Sequence, residues 1–328
     1  MARIFTEGFE MKDFIGYIIG GGVSITTTNP RSGIAAAGLN DSRSLKRFTT
    51  AVDEMYIRTG IKINGIGNQR IIWYKGSTEL GSIRTNAESK LGIYVGSTLK
   101  ATGSLMLAAN VWYLLEVHVK IADEDGIIEA RVEGGAVDVT FSGDTKPGAD
   151  ADIDNIVWYG GSGGASLDDL AINDISGTVD NSWCGDGKVV MLTPNANGDL
   201  SQLMGSDADQ IDNYLLVDEF PKDDDTTYVE GSVVDEKDLY NLTDFGLNEQ
   251  AIKRVWAEAR ARDTVADAGL VALALKTYDT EYVGPDVTLF TTFTKQILGT
   301  VHTVNPNTSA AWTPAELDAL QAGPVTRS

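Results

Sequence analysis

From Val111 to Ile121 apolar and polar side chains alternate. Tyr113, Leu115, Val117, Val119 and Ile121 fall on one phase, and Glu116, His118 and Lys120 on the other. A period of two is that of a strand buried on one face, so this stretch predicts a β-strand with His118 on the solvent side. The run Asp123, Glu124, Asp125, Gly126 is rich in residues that tolerate positive φ and predicts a turn. After it come Ile127 to Val132, and then Val137, Val139 and Phe141 alternating with Asp138 and Thr140, which extends the pattern to an antiparallel meander. Upstream, Met55 to Ile63, Gln69 to Tyr74, Glu79 to Thr85 and Lys90 to Val95 are short segments with glycine-bearing breaks between them, the punctuation of an all-β fold. No helix of ordinary length is expected before Asp180.

The C-terminus carries a different signal. Thr313 is placed to cap a helix, Pro314 fits its first position, and Glu316 completes a capping box. The predicted helix runs from Pro314 to about Gln321, with Leu317 and Leu320 on one face and Gly323 as its end. Leu270 to Lys276 and Val287 to Thr294 read as strands. Glu249 to Arg262 has good helix formers throughout, yet Val255, Ala257, Ala259 and Ala261 also alternate with Trp256, Glu258, Arg260 and Arg262.

Composition narrows the choices. The 328 residues allow two ordinary domains, and 42% hydrophobic with 22% charged residues is a globular balance. Thirty-five glycines against eight prolines suit many tight turns. The excess of 47 acidic over 26 basic residues gives a net charge of −21, which opposes nucleic acid and anionic membranes as partners and favours solubility. Cys184 is the single cysteine, so no intrachain disulfide is expected. Glu7, Glu10 and Asp13 interrupt the N-terminus where a signal peptide needs an apolar run, and no window is long enough to span a membrane. The expectation is a protein made and held in the producing cell's cytoplasm until lysis releases it.

The opening FTEGFE, the pair VWYLLEVHVKI and EARVEGGAVDVTFSGDT, and the closing ASLDDLAIND resemble the laminin-G-like or concanavalin-like lectin sandwich often found in phage virion proteins. The likeness covers about Ile4 to Ile175 and implies that Leu167 to Ile172 is a last strand returning to pair near the first. NSWCGDGKVVMLTPNANGD, NYLLVDEFPKDDDTTYVEG and the ending HTVNPNTSAAWTPAELDALQAGPV are similar to the connector, the transition and the closing turn and helix of tailed-bacteriophage particle proteins. The resemblance implies a mainly β chain: a jelly-roll sandwich over 1–176, a connector over 177–217, and a smaller β-sandwich with a short C-terminal helix over 218–328. It also favours a strand over a helix for 249–262.

Enzyme chemistry finds few candidates. His118 sits on the expected solvent face, and His302 has no partner motif. Cys184 lies in a glycine-rich connector, no G-x-S-x-G-like elbow is present, and the GGSGG run at 160–164 lacks the Lys and Ser or Thr of a phosphate loop. A glycosidase needs two acids across a cleft, but Asp53 with Glu54, Asp168 with Asp169, and Asp223 to Asp225 read as solvated surface acids. Asp150, Asp152 and Asp154 are the first candidates for a calcium site at a loop rim, although Asn155 and Gly161 rule out an EF-hand. No other cofactor is expected. Trp73, Tyr74, Trp158 and Tyr159 near strand ends are the candidates for stacking on sugar.

The function these readings predict is a non-enzymatic structural component on the surface of a tailed-phage virion, as a tail fibre, tail accessory or head-decoration protein. Its expected partners are other virion proteins and further copies of itself, with a trimer the favoured assembly. The alternative is a receptor-binding module for a host surface glycan, and a polysaccharide depolymerase ranks last.

Overall fold

In this computed structural model, residues 3–14, 17–40, 44–65, 67–219, 222–248, 251–265, 269–293 and 295–327 are described. The chain divides into two units, Met1–Val190 and Met191–Ser328. Residues 177–190 of the expected connector therefore pack with the first unit and 191–217 with the second.

The first unit is built from β1 (Arg3–Glu7), β2 (Ile18–Gly20), β3 (Val23–Thr26), β4 (Ala36–Leu39), β5 (Ser44–Val52), β6 (Glu54–Ile63), β7 (Arg70–Lys75), β8 (Thr78–Thr85), β9 (Lys90–Val95), β10 (Thr98–Met106), β11 (Trp112–Lys120), β12 (Gly126–Val132), β13 (Val137–Gly143), β14 (Ile153–Tyr159) and β15 (Ala165–Asp174). They form the two antiparallel sheets of a β-sandwich. One has the order β13-β12-β11-β6-β15-β4-β3, with β1 also paired to β15, and the other β10-β9-β8-β7-β14-β5-β2. The meander runs through β11, β12 and β13, and β15 returns to β1 with Phe5 opposite Ile172 and Glu7 opposite Leu170.

Alternation decides what fills the space between the sheets. Met55, Ile57, Ile61, Leu115, Val117 and Val119 of one sheet meet Ile71, Trp73, Ile83, Ile93, Ile156 and Trp158 of the other. Each such side chain contributes about 1.5–3 kcal/mol on burial, and together they offset the entropy of ordering the strands. Trp158 carries a polar group into this core, and its indole Nε1 donates to Thr59 Oγ1 on the opposite sheet at 2.9 Å. Gly81 lies opposite Trp73, and a Cβ there would stand 2.9 Å from the indole ring, so the bare backbone makes room for it. The GGSGG segment is the loop between β14 and β15. Gly161 has φ of +63° and approaches so closely that a Cβ would fall 1.7 Å from Gly67 O.

The second unit contains β16 (Pro194–Ser201), β17 (Met204–Gly205), β18 (Val229–Glu230), β19 (Asp238–Leu242), β20 (Glu258–Ala261), β21 (Leu270–Thr277), β22 (Thr280–Val283), β23 (Val287–Thr288), β24 (Lys295–Leu298), α1 (Pro314–Asp318) and β25 (Gln321–Arg327). Its main sheet has the order β16-β19-β25-β21-β22, with β23 also on β21, and β20 pairs with β24 apart from it. Alternate residues of β21 serve both faces: Ala272 and Ala274 pack with Leu239 and Val325, while Val271 and Leu273 pack with Ala257, Ala259 and Ala261. Buried Asp238 ties the turns to this sheet, accepting from Gln202 N at 2.6 Å, Leu203 N at 2.9 Å, Asn213 Nδ2 at 2.7 Å and Tyr240 OH at 2.9 Å.

The capping box at Thr313 is present, and Leu317 and Leu320 are buried with Trp312 and Leu275. The helix is shorter than expected, because β25 begins at Gln321 and takes a central place between β19 and β21. Gly323 therefore does not end a helix. It lies in a strand where a Cβ would meet Asp238 O, a close approach that only glycine permits. Within 249–262 the strand is Glu258–Ala261, and Glu249 and Gln250 fall outside the described residues. Of the strand expected over 287–294, Val287–Thr288 is the strand among the described residues, and Thr294 falls outside them.

Candidate functional site

A sandwich offers a ligand two outer faces. On the eight-stranded sheet the outward phase of β6, β11 and β12 presents Tyr56, Arg58, Glu116, His118, Glu129 and Arg131, polar as the alternation predicts. The centre of this face is not open to solvent. Residues 182–189 cross it as a strap, and His118 is only 7% exposed. His118 stacks on Tyr56 with ring centres 4.3 Å apart, between Glu54 at 2.9 Å and Glu129 at 3.3 Å, and Trp183 covers both rings edge-on. Arg131 lies 4.2 Å from the centre of the Trp183 ring and is paired with buried Glu116 at 2.8 Å. Glu116 also accepts from Gly185 N at 2.8 Å, and Arg58 donates to Gly185 O at 3.2 Å. The expectation of an exposed His118 fails because its own chain covers that face.

The Asp168–Asp169 pair belongs to the same arrangement. Both are fully buried, which corrects their reading as surface acids. A bulge in β15 and a φ of +50° at Asp169 turn both carboxylates toward donors. Asp168 accepts from the backbone N–H groups of Arg31 at 2.9 Å, Ser32 at 3.1 Å and Asp169 at 2.8 Å. Asp169 accepts from Arg31 Nη1 at 2.7 Å, Ser32 Oγ at 2.8 Å and Val189 N at 3.1 Å. Burial, reinforced by neighbouring Asp169, pushes the Asp168 carboxyl up to about 7. Glu10 is likewise pushed up to about 7, mainly by burial, although Ile34 N donates to it at 2.9 Å. These are the shifted acids an active site would use, but they lie beneath the 31–34 loop and the strap.

The seven-stranded sheet presents its outer face differently. Its register places Thr102, Gly92, Arg84, Arg70, Tyr159 and Ser44 in one row across six strands. The next row holds Leu99, Tyr94, Ser82, Ile72, Val157 and Lys46, and Tyr74 stands beyond Ile72 on β7. Tyr74, Tyr94 and Tyr159 are half-buried, so each keeps part of its ring accessible. The Arg84 guanidinium lies 4.0 Å from the centre of the Tyr94 ring, and that of Arg70 lies 5.3 Å from Tyr159. Glu79 pairs with Arg84 at 2.7 Å. Burial raises the Tyr74 phenol, helped by Glu79 and opposed by Arg70 and Arg84, which places all four side chains in one neighbourhood.

Of the four expected sugar-stacking residues, Tyr74 and Tyr159 reach this face. Trp73 and Trp158 do not. Both are 0% exposed, because they occupy the inward phase of β7 and β14. Tyr94, Arg70 and Arg84 were missed. Alternation within RIIWYK and TELGSIRT puts both arginines on the outer phase, but their alignment needed the register of the hairpin between β7 and β8.

The candidate calcium ligands form no cation site. Lys75 Nζ lies 2.7 Å from Asp152 and 3.8 Å from Asp154, and Asp154 also accepts from Gly76 N at 2.9 Å. A lysine ammonium takes the place expected for a metal, and among the described residues no three His, Cys, Asp or Glu side chains converge as ligands.

No protein-family model matches the chain, and no curated protein matches it. Solved structures similar to it include a sialidase, at 14% identity with a TM-score of 0.41, where the match spans 54% of this chain and 19% of that one. Domain 4 of AbnA, a GH43 extracellular arabinanase from Geobacillus stearothermophilus in complex with arabinotriose, is similar at 13% identity over 53% of this chain and 92% of that one, with a TM-score of 0.39. A protein of unknown function with a galectin-like fold from Bacillus subtilis is similar at 14% identity over 53% and 96%, with a TM-score of 0.39. All three scores lie below 0.5, so the likeness carries no ligand or activity across to this chain.

Proposed function

We propose that this chain is a non-enzymatic carbohydrate-binding module whose ligand lies across the outer face of the seven-stranded sheet. The observation that carries the reading is the register of that face, where three accessible tyrosine rings are interleaved with arginines held against them. Aromatic rings stack on the apolar faces of sugars, and fixed guanidinium groups supply directional donors to ring substituents. The centre of the opposite face is crossed by the strap, and the acids with raised pKa are buried beneath the 31–34 loop, which favours binding over hydrolysis. Screening the full chain against a glycan array tests the reading: binding to at least one saccharide class, lost in a Tyr94→Ala/Tyr159→Ala variant of unchanged unfolding midpoint, is expected. Absence of binding across the array sinks it.

Display on a tailed-phage particle, among other virion proteins and as a homo-oligomer, is the setting we propose for this module. It rests on the sequence stretches at 181–199, 213–231 and 302–325. Quantifying the chain against the major capsid protein in purified particles tests it, and absence from the particle overturns it.

A further inference from the structure

Arg70 and Arg84 face each other directly across the β7–β8 pair. Like charges at directly opposed positions destabilise a sheet. This pair stands in a chain where acidic residues outnumber basic ones by 47 to 26, so carboxylates to neutralise it are plentiful. Only Arg84 has one, in Glu79. Arg70 donates from Nε to Asn68 Oδ1 at 3.1 Å and rests on Tyr159, and among the described residues no carboxylate lies within ion-pair distance of it. Positive charge that no described carboxylate pairs therefore stands at Arg70, on the outer face of the seven-stranded sheet.

We infer that the saccharide taken by this face is anionic, with a carboxylate or sulfate seated on the Arg70 guanidinium and the adjoining rings stacked on Tyr94 and Tyr159. The inference rests on the carbohydrate-binding reading above. A guanidinium fork matches the two oxygens of a carboxylate or sulfate, and an anion on Arg70 supplies the counter-charge that no described carboxylate gives it. Tyr94, Arg84, Arg70 and Tyr159 lie on four adjacent strands, a run of roughly 14 Å at ordinary strand spacing, which suits a short oligosaccharide rather than a single ring. The net charge of −21 repels any polyanion from afar. At physiological ionic strength that repulsion is screened beyond roughly 8 Å, so the local balance on the face decides binding.

The test uses the full chain and two matched pairs of polymers: polygalacturonate against its methyl ester, and dextran sulfate against dextran. The expected result is that at least one acidic polymer binds at least tenfold more tightly than its neutral partner. Arg70→Gln removes that advantage while the unfolding midpoint stays in place, and Arg70→Lys restores part of it. Arg70 is the deciding position because Arg84 also holds Ser82 and Gly96 O. Equal binding of the neutral partners overturns this inference and leaves the carbohydrate reading standing. Failure of both acidic polymers to bind, an Arg70→Gln variant that binds them unchanged, or equally tight binding of single-stranded DNA also overturns it. The carbohydrate reading itself falls only if the glycan array is silent as well.

Discussion

Arg31 joins two parts of the first unit that are far apart in sequence, with one amino group 2.7 Å from buried Asp169 and the other 2.5 Å from Asp186 in the strap. Desolvation alone lowers the affinity of this guanidinium for its proton, but the two carboxylates outweigh it and raise its pKa. The pair is a closure device more than a source of net stability, since an ion pair withdrawn from water gives back much of its Coulombic gain.

Breaking the pair is costly all the same. Arg31→Met leaves Asp169 buried without its cation, and a loss of about 3–5 kcal/mol in unfolding free energy is expected. Denaturant titration of the variant checks it. A loss under about 1 kcal/mol would show that Ser32 and Val189 suffice to hold Asp169.

The buried acids predict an unusual pH profile. Glu10 has its carboxyl raised from 4.5 to about 7, so between those values the folded state holds a proton that the unfolded chain has released. Stability from this group is full below pH 4.5 and is lost as pH rises through 7, a fall of about 3 kcal/mol. Glu10→Gln lessens the slope of unfolding free energy against pH over that window, and Asp168, also raised to about 7, carries the remainder. An unaltered slope in the variant would remove Glu10 as its source.

Cys184 reports on the strap. Its thiol is buried, and burial pushes it up to about 11, so reaction with a thiol reagent requires the strap to open. Trp183→Ala removes the ring that covers His118 and Tyr56, and the labelling rate of Cys184 in the native protein is expected to rise about tenfold for each 1.4 kcal/mol lost. Labelling at the wild-type rate would mean that the strap's polar contacts, among them those of Gly185, Asp186 and Val189, keep it closed without the Trp183 ring.

Neighbouring residues on β14 separate binding from folding. Tyr159→Ala is expected to weaken saccharide binding by about 0.5–1.5 kcal/mol with little change in stability. Trp158→Ala empties a core position and breaks the bond to Thr59, so about 3–5 kcal/mol of stability is lost. Thermal unfolding and glycan titration of both variants distinguish the two roles.

Calcium should change nothing in the native chain. With Lys75 between Asp152 and Asp154, neither added calcium nor a chelator is expected to move the unfolding midpoint. A midpoint that falls with the chelator would restore a metal site at this rim.

Local alternation made β6, β11 and β12 legible because each has one inward and one outward phase. It also made β15 hard to read, since every residue of ASLDDLAIND is buried and its central acids look like surface residues until the strap and the 31–34 loop cover them. The face of Tyr74 was likewise visible in the pattern, whereas the meeting of Arg70 with Arg84 depended on where a hairpin sets its register. Gly323 imitates the end of a helix, and the passing backbone at Asp238 explains why a strand needs it.

The pairing of β1 with β15 has a consequence for how the protein is made. Arg3 emerges from the ribosome 170 residues before Asn173, the side chain it must meet. At ordinary elongation speeds that interval is roughly 10 to 30 s, during which β1 lacks its partner and the sandwich cannot close. The first unit therefore completes its sheet late in its own synthesis, and a nascent chain cut before β15 would carry an open, aggregation-prone edge along β6.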